Sequence, residues 1–136
     1  MNDQDDKITT GSCLCGAVCF KIIGNLRPVS NCHCTQCRRT SGHFGAFSGA
    51  PKDCLTFTEE RGLKWFQSSQ EARRGFCHEC GASLFYDHRD AAHMAIAAGS
   101  LDGATGLVTK SHIFTDDKGD YYELSDDLPK HGAYPG

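Results

Sequence analysis

The stretch Cys13-Leu14-Cys15-Gly16-Ala17-Val18-Cys19-Phe20-Lys21-Ile22-Ile23 sets two signals side by side: a Cys-x-Cys pair, then an alternating apolar run. Over 17–23, Val18, Phe20 and Ile22 fall on one side of an extended chain, the two-residue period of a half-buried strand. Similar short runs rich in Val, Ile, Phe, Tyr and Thr recur at 43–49, 54–58, 63–67, 72–76, 83–86, 94–98, 108–114 and 121–124. Gly, Pro and Asp separate most of them, so a mainly β domain is expected. Thr35–Ser41, stopped by Gly42, is the one segment expected to form a short helix.

At 136 residues the chain is long enough for one ordinary core and too short for two, so a single domain is expected over 11–127, with polar tails at 1–10 and 128–136. No apolar run approaches the roughly 20 residues of a membrane span, and the acidic first ten residues do not resemble a secretory signal. The expected location is the cytoplasm. Nine cysteines would there meet a reducing thiol pool, where metal binding is a commoner use than disulfide formation. The formal charge is −3; ionising seven cysteines around two Zn²⁺ would take it to −6, because seven protons leave and four positive charges arrive. Nucleic acid and anionic membrane are therefore not expected partners.

Seven of the nine cysteines form three clusters: Cys13-x-Cys15, Cys32-x-Cys34-x-x-Cys37 and Cys77-x-x-Cys80. On a strand, residues i and i+2 point the same way, so each Cys-x-Cys can reach one ion. A Cys-x-x-Cys turn curls around the ion, with Gly81 supplying backbone freedom after the second thiol. Thiolates at this density select zinc or an iron-sulfur cluster, zinc being the commoner occupant of such knuckles. Seven ligands divide into four, which close a tetrahedron, and three, which leave a position open for chemistry. Spacing also permits Cys32 and Cys34 to pair with Cys77 and Cys80, or a single four-cysteine site with the other thiols idle. Cys19 and Cys54 lack metal spacing and read as small core side chains.

The runs Gly11-Ser12-Cys13-Leu14-Cys15-Gly16-Ala17-Val18, Cys32-His33-Cys34-Thr35-Gln36-Cys37-Arg38-Arg39-Thr40-Ser41-Gly42 and Arg74-Gly75-Phe76-Cys77-His78-Glu79-Cys80-Gly81-Ala82-Ser83-Leu84 resemble, in this order, the glutathione-dependent formaldehyde-activating enzyme family, which includes the centromere protein V domain. The stretches 96–102, 112–114 and 121–124 look like its short bacterial members. The resemblance implies a β-tent fold of antiparallel sheets with zinc sites at their edges. It further implies a structural zinc on Cys13, Cys15, Cys77 and Cys80 and a catalytic zinc on Cys32, Cys34 and Cys37. The implied activity is that of a carbon-sulfur lyase, S-(hydroxymethyl)glutathione formation from glutathione and formaldehyde.

In that reading Cys32, Cys34 and Cys37 form the catalytic group, with a small thiol and a small aldehyde as partners. Arg38 and Arg39, directly after the third ligand, are candidates for binding the carboxylates of an anionic thiol. His33 alternates with two cysteines and should face away from the metal; His78 sits inside a knuckle; His43 and His112 read as ordinary hydrogen-bonded histidines. Trp65, Phe66, Phe44 and Phe47 read as core. The competing readings are a non-catalytic zinc-binding thiol carrier or interaction module, and a redox pair formed by Cys34 and Cys37.

Overall fold

Of the run at 17–23, Val18, Phe20 and Ile22 are all buried as the alternation requires, while the strand itself begins at Cys19 and Ala17 is buried as well. A computed structural model describes residues 7–134. In it β2 (Cys19–Ile23) lies between β1 (Ile8–Ser12) and β5 (Leu55–Glu59) in a three-stranded antiparallel sheet. The second sheet has seven strands: β3 (Val29–Cys32), β4 (Gly45–Pro51), β6 (Leu63–Gln67), β7 (Ala72–Cys77), β8 (Ser83–His88), β9 (His93–Ala97) and β10 (Thr109–Ile113). Their order is β10-β3-β4-β9-β8-β7-β6, antiparallel throughout except for the parallel pair β10 and β3. This is the mainly β, tent-like architecture expected. Among the described residues no helix is long and apolar enough to cross a membrane.

The two sheets meet through aromatic rings. Phe20 of β2 and Phe57 of β5 both pack edge-on against Phe85 of β8, at centroid distances of 5.2 and 5.4 Å. Trp65, Gly75 and Phe85 are register partners across β6, β7 and β8, so all three share the face toward this core. Gly75 is small for a reason: a Cβ there would lie 2.9 Å from Trp65 and 3.0 Å from Phe85. The alternate residues Phe66, Arg74 and Tyr86 are register partners as well and share the opposite face. That face carries α1 (Thr35–Ser41), the helix expected from sequence.

Four expectations are corrected. Residues 8–10 are strand rather than tail: Ile8, Thr9 and Thr10 are β-branched and add an antiparallel edge to β2. Residues 1–6 and 135–136 of the expected tails lie outside the described residues. At the other end, the chain over 128–134 docks beside β10, where His112 N–H donates to Pro129 O and His131 N–H to His112 O, both at 2.9 Å. Residues 121–124 form no strand; their tyrosine hydroxyls bond histidines of the other elements instead. Phe66 is not core but 61% exposed. The strand β3 was not expected at all, because only four residues separate Pro28 from His33 and two of them, Ser30 and Asn31, are polar.

Candidate metal centres and reactive site

Each cysteine cluster sits where a strand stops. Cys13 and Cys15 follow β1, and Cys77 ends β7 with Cys80 in the turn toward β8. The turns at both pairs use glycine in the left-handed region, Gly16 at φ 83° and Gly81 at φ 82°. The four sulfurs Cys13, Cys15, Cys77 and Cys80 all lie within 4.8 Å of one another. Cys15 Sγ stands 3.7 Å from both Cys13 Sγ and Cys77 Sγ. A regular tetrahedron with Zn–S bonds of about 2.3 Å has edges of about 3.8 Å, so the donor set fits a zinc ion. Cys80 is held down to about 6, first by the backbone N–H of Cys15 and then by that of Ala82. Cys15 also receives a lowering bond from the Ala17 N–H, but burial and the thiols of Cys77, Cys13 and Cys80 push it up to about 12.

The second group is Cys32 at the end of β3, Cys34 as N-cap of α1, and Cys37 one turn in. A cysteine serves as cap because its Sγ accepts the otherwise orphaned N–H of Cys37, at 3.3 Å. Here too the sulfurs lie within 4.8 Å of one another, and no fourth His, Cys, Asp or Glu joins them among the described residues. Thiol contacts from Cys32 and then Cys37 hold Cys34 down to about 2. The contacts with Cys34 and Cys37, with burial, push Cys32 far up. In Cys37 the contact with Cys32 acts downward, and Cys34 and burial outweigh it. Three sulfurs this close ionise together only with a cation among them, so this donor set also fits a soft metal ion.

Arg38 and Arg39 are both exposed on α1. The guanidinium that meets the cluster belongs to Arg74 of β7. It is 9% exposed; its Nη2 donates to Cys37 Sγ at 3.6 Å, its Nε donates to Gln36 Oε1 at 3.0 Å, and its Cζ lies 4.9 Å from the Tyr86 ring. The sequence held one signal for it. In the strand read at 72–76, Arg73 and Arg74 must face opposite ways, so one of them leaves the core face for the face that carries α1. Arg73 takes the other face, over the Trp65 ring at 3.9 Å and against Asp87 at 2.9 Å.

His33 does turn from its flanking cysteines, into a buried array. Its Nδ1 meets Tyr122 Oη at 2.5 Å, its Nε2 meets His112 Nδ1 at 2.9 Å, and His112 Nε2 meets Asp126 Oδ2 at 2.8 Å. Burial first, then His112, lowers His33 to about 4. His43 is tied to Tyr121 Oη at 2.7 Å, and His78 is exposed with its Nε2 beside Arg61 O. Bonding by His112, ahead of every other cause, holds the Asp126 carboxyl down to about 2, below the ordinary unfolded value near 3.9. A carboxyl lowered on folding contributes stability that is complete above about pH 4 and lost as pH falls toward 2. Asp126→Asn is therefore expected to flatten the acid limb. Chemical denaturation at pH 6 and pH 3 should show a smaller difference in the variant, since thiolate protonation acts equally in both proteins; identical limbs would exclude the assigned role.

The model of the family described as glutathione-dependent formaldehyde-activating enzyme matches residues 8–117. The chain belongs to that family. It is 32% identical over 117 residues to an uncharacterized lyase of Schizosaccharomyces pombe, covering 85% of this chain and 84% of that one. It is 26% identical over 129 residues to a Halomonas elongata protein provisionally named glutathione-dependent formaldehyde-activating enzyme, covering 84% of this chain and 79% of the relative. A Rhodobacter sphaeroides protein of known crystal structure superposes with a TM-score of 0.61 at 23% identity, over 74% of this chain and 97% of that one, which shows a shared fold.

Proposed function

We propose that this family member is a zinc-dependent carbon-sulfur lyase-type enzyme that joins a small thiol, glutathione or a similar one, to formaldehyde or another small aldehyde, as in S-(hydroxymethyl)glutathione formation. The observation that carries the reading is the contrast between the two cysteine groups: four sulfurs that complete a tetrahedron, and three that do not. Cys13, Cys15, Cys77 and Cys80 would hold a structural zinc, and Cys32, Cys34 and Cys37 a catalytic one. Zinc at the latter would supply Lewis acidity that lowers the pKa of a coordinating thiol toward neutrality. The chain's own residues do the rest. Cys34 fixes the start of α1, α1 fixes Cys37, and Arg74 brings one positive charge to a group that three thiolates make strongly negative. Arg38 and Arg39 stand on the same helix, exposed, where they would meet the carboxylates of an anionic thiol.

The test is exchange NMR on formaldehyde and glutathione at equilibrium, because the uncatalysed addition is itself reversible and end-point assays would mislead. Zinc-loaded protein at micromolar concentration is expected to raise the exchange rate at least tenfold over buffer. Equal rates with and without protein would remove the formaldehyde-activating assignment.

A further inference from the structure

The face of the large sheet that carries Arg74 also carries a cleft of about 280 Å³, lined by Thr40, Phe47, Phe66, Arg74, Phe76 and Leu84 among others. Its walls are aromatic, and Arg74 is the one charged group of the lining. Arg74 therefore borders two places at once, lining the apolar cleft and donating to the sulfur of Cys37. Arginine has five N–H donors. Among the described residues Nε is given to Gln36 and one hydrogen of Nη2 to Cys37, and no carboxylate lies within ion-pair distance, so the Nη1 hydrogens are free for a ligand.

Resting on the reading that a thiol adds to an aldehyde at Cys32, Cys34 and Cys37, we propose that this cleft takes the apolar, ring-bearing body of the aldehyde, and that Arg74 stabilises its oxygen as sulfur adds. Formaldehyde has no body to fill such a cleft. Glutathione is a poor occupant, because the lining offers no carboxylate to its ammonium, and burying that charge unpaired is costly. The volume lies near the lower bound for small-ligand pockets, about 300 Å³, which suits a single ring. Phe66 supports the same occupant: its ring is 61% exposed at the cleft wall, apolar surface that a bound ring would cover.

The step is a plain addition. The thiol sulfur forms a bond to the carbonyl carbon, the C=O π pair moves to oxygen, and an Arg74 N–H donates to that oxygen as charge develops. The proton given up by the thiol ends on the oxygen by way of solvent, so thiol and aldehyde together equal the hemithioacetal. The cation is worth most where charge appears and where water is excluded.

Two measurements test this on zinc-loaded, isotope-labelled protein. Titration with benzyl alcohol, an unreactive analogue of benzaldehyde, is expected to shift the amides of residues 74–76 and 83–85, and Phe66→Ala, which removes an exposed ring and leaves the core intact, should weaken binding roughly fivefold to tenfold. Exchange NMR with a small thiol should show benzaldehyde accelerated more than formaldehyde, with Phe66→Ala lowering that preference and Arg74→Met slowing benzaldehyde exchange about 100-fold. Arg74→Lys should restore part of the rate, which a purely structural role for Arg74 would not give. If formaldehyde exchange is accelerated but benzyl alcohol shifts nothing in the cleft, the cleft assignment fails and the thiol-aldehyde reading survives. If the alcohol binds in the cleft but neither aldehyde exchanges faster, the thiol-aldehyde reading fails and takes the proposed addition with it.

Discussion

Cys77→Ser is expected to abolish cooperative folding, or to lower the melting temperature by at least about 15 °C, and to reduce the bound metal to less than one equivalent. Cys77 is fully buried at the end of β7, and its sulfur lies 3.7 Å from that of Cys15. The four-cysteine group ties the turn after β1, in the small sheet, to the β7–β8 turn of the large sheet. The backbone crosses the same gap: Gly62 N–H donates to Ala17 O at 2.9 Å and His78 N–H to Gly62 O at 2.8 Å. Structural zinc contributes roughly 10–16 kcal/mol of folding free energy in small domains, as much as the whole net stability of about 5–15 kcal/mol. Losing one of four thiolates removes most of that, and among the described residues no further His, Cys, Asp or Glu joins the group to replace it. A milder variant probes the same place. A Cβ on Gly62 would lie 2.7 Å from both Cys77 Sγ and Ala17 Cβ, so Gly62→Ala should cost about 1–3 kcal/mol while keeping the metal. Calorimetry with metal analysis checks both. A Cys77→Ser protein that melts within 2 °C of native with both metals in place would show that the four sulfurs do not hold the sheets together.

What could be read in advance follows from how local each feature is. The strands with clean alternation, such as 17–23 and 63–67, and the helix bounded by Cys34 and Gly42 carry their signals within a few residues, and each was legible. β1 was hidden because Ile8, Thr9 and Thr10 follow an acidic run and become a strand only by pairing with β2. At 121–124 the opposite happened: a β-rich pattern, but the hydroxyls of Tyr121 and Tyr122 are taken by His43 and His33, and the backbone joins no ladder. The cysteine clusters were legible because metal spacing is local, whereas their division into four and three depends on which strand ends meet in space. Arg74 and Phe66 escaped for the same reason. Their roles come from register across β6, β7 and β8, which no local pattern encodes. Arg38 and Arg39, conspicuous in sequence, stand exposed on α1.

Cys34→Ser should separate reaction from fold. Cys34 caps α1 through its sulfur, and serine is among the preferred N-cap residues, so the substitution keeps the hydrogen bond to the Cys37 N–H that starts the helix. What it removes is a soft donor and the most easily ionised thiol of the group, the one that Cys32 and Cys37 hold down to about 2. The melting temperature is expected to fall by no more than about 5 °C, one metal equivalent should remain on the other four cysteines, and aldehyde exchange should drop at least about tenfold, to the rate in buffer. Metal analysis, calorimetry and exchange NMR on one preparation read all three. Full exchange activity in this variant would place the chemistry elsewhere. Loss of both metals with loss of the fold would make Cys32, Cys34 and Cys37 a second structural clamp, because Cys37 and Gln36 tie α1 to Arg74 of the large sheet.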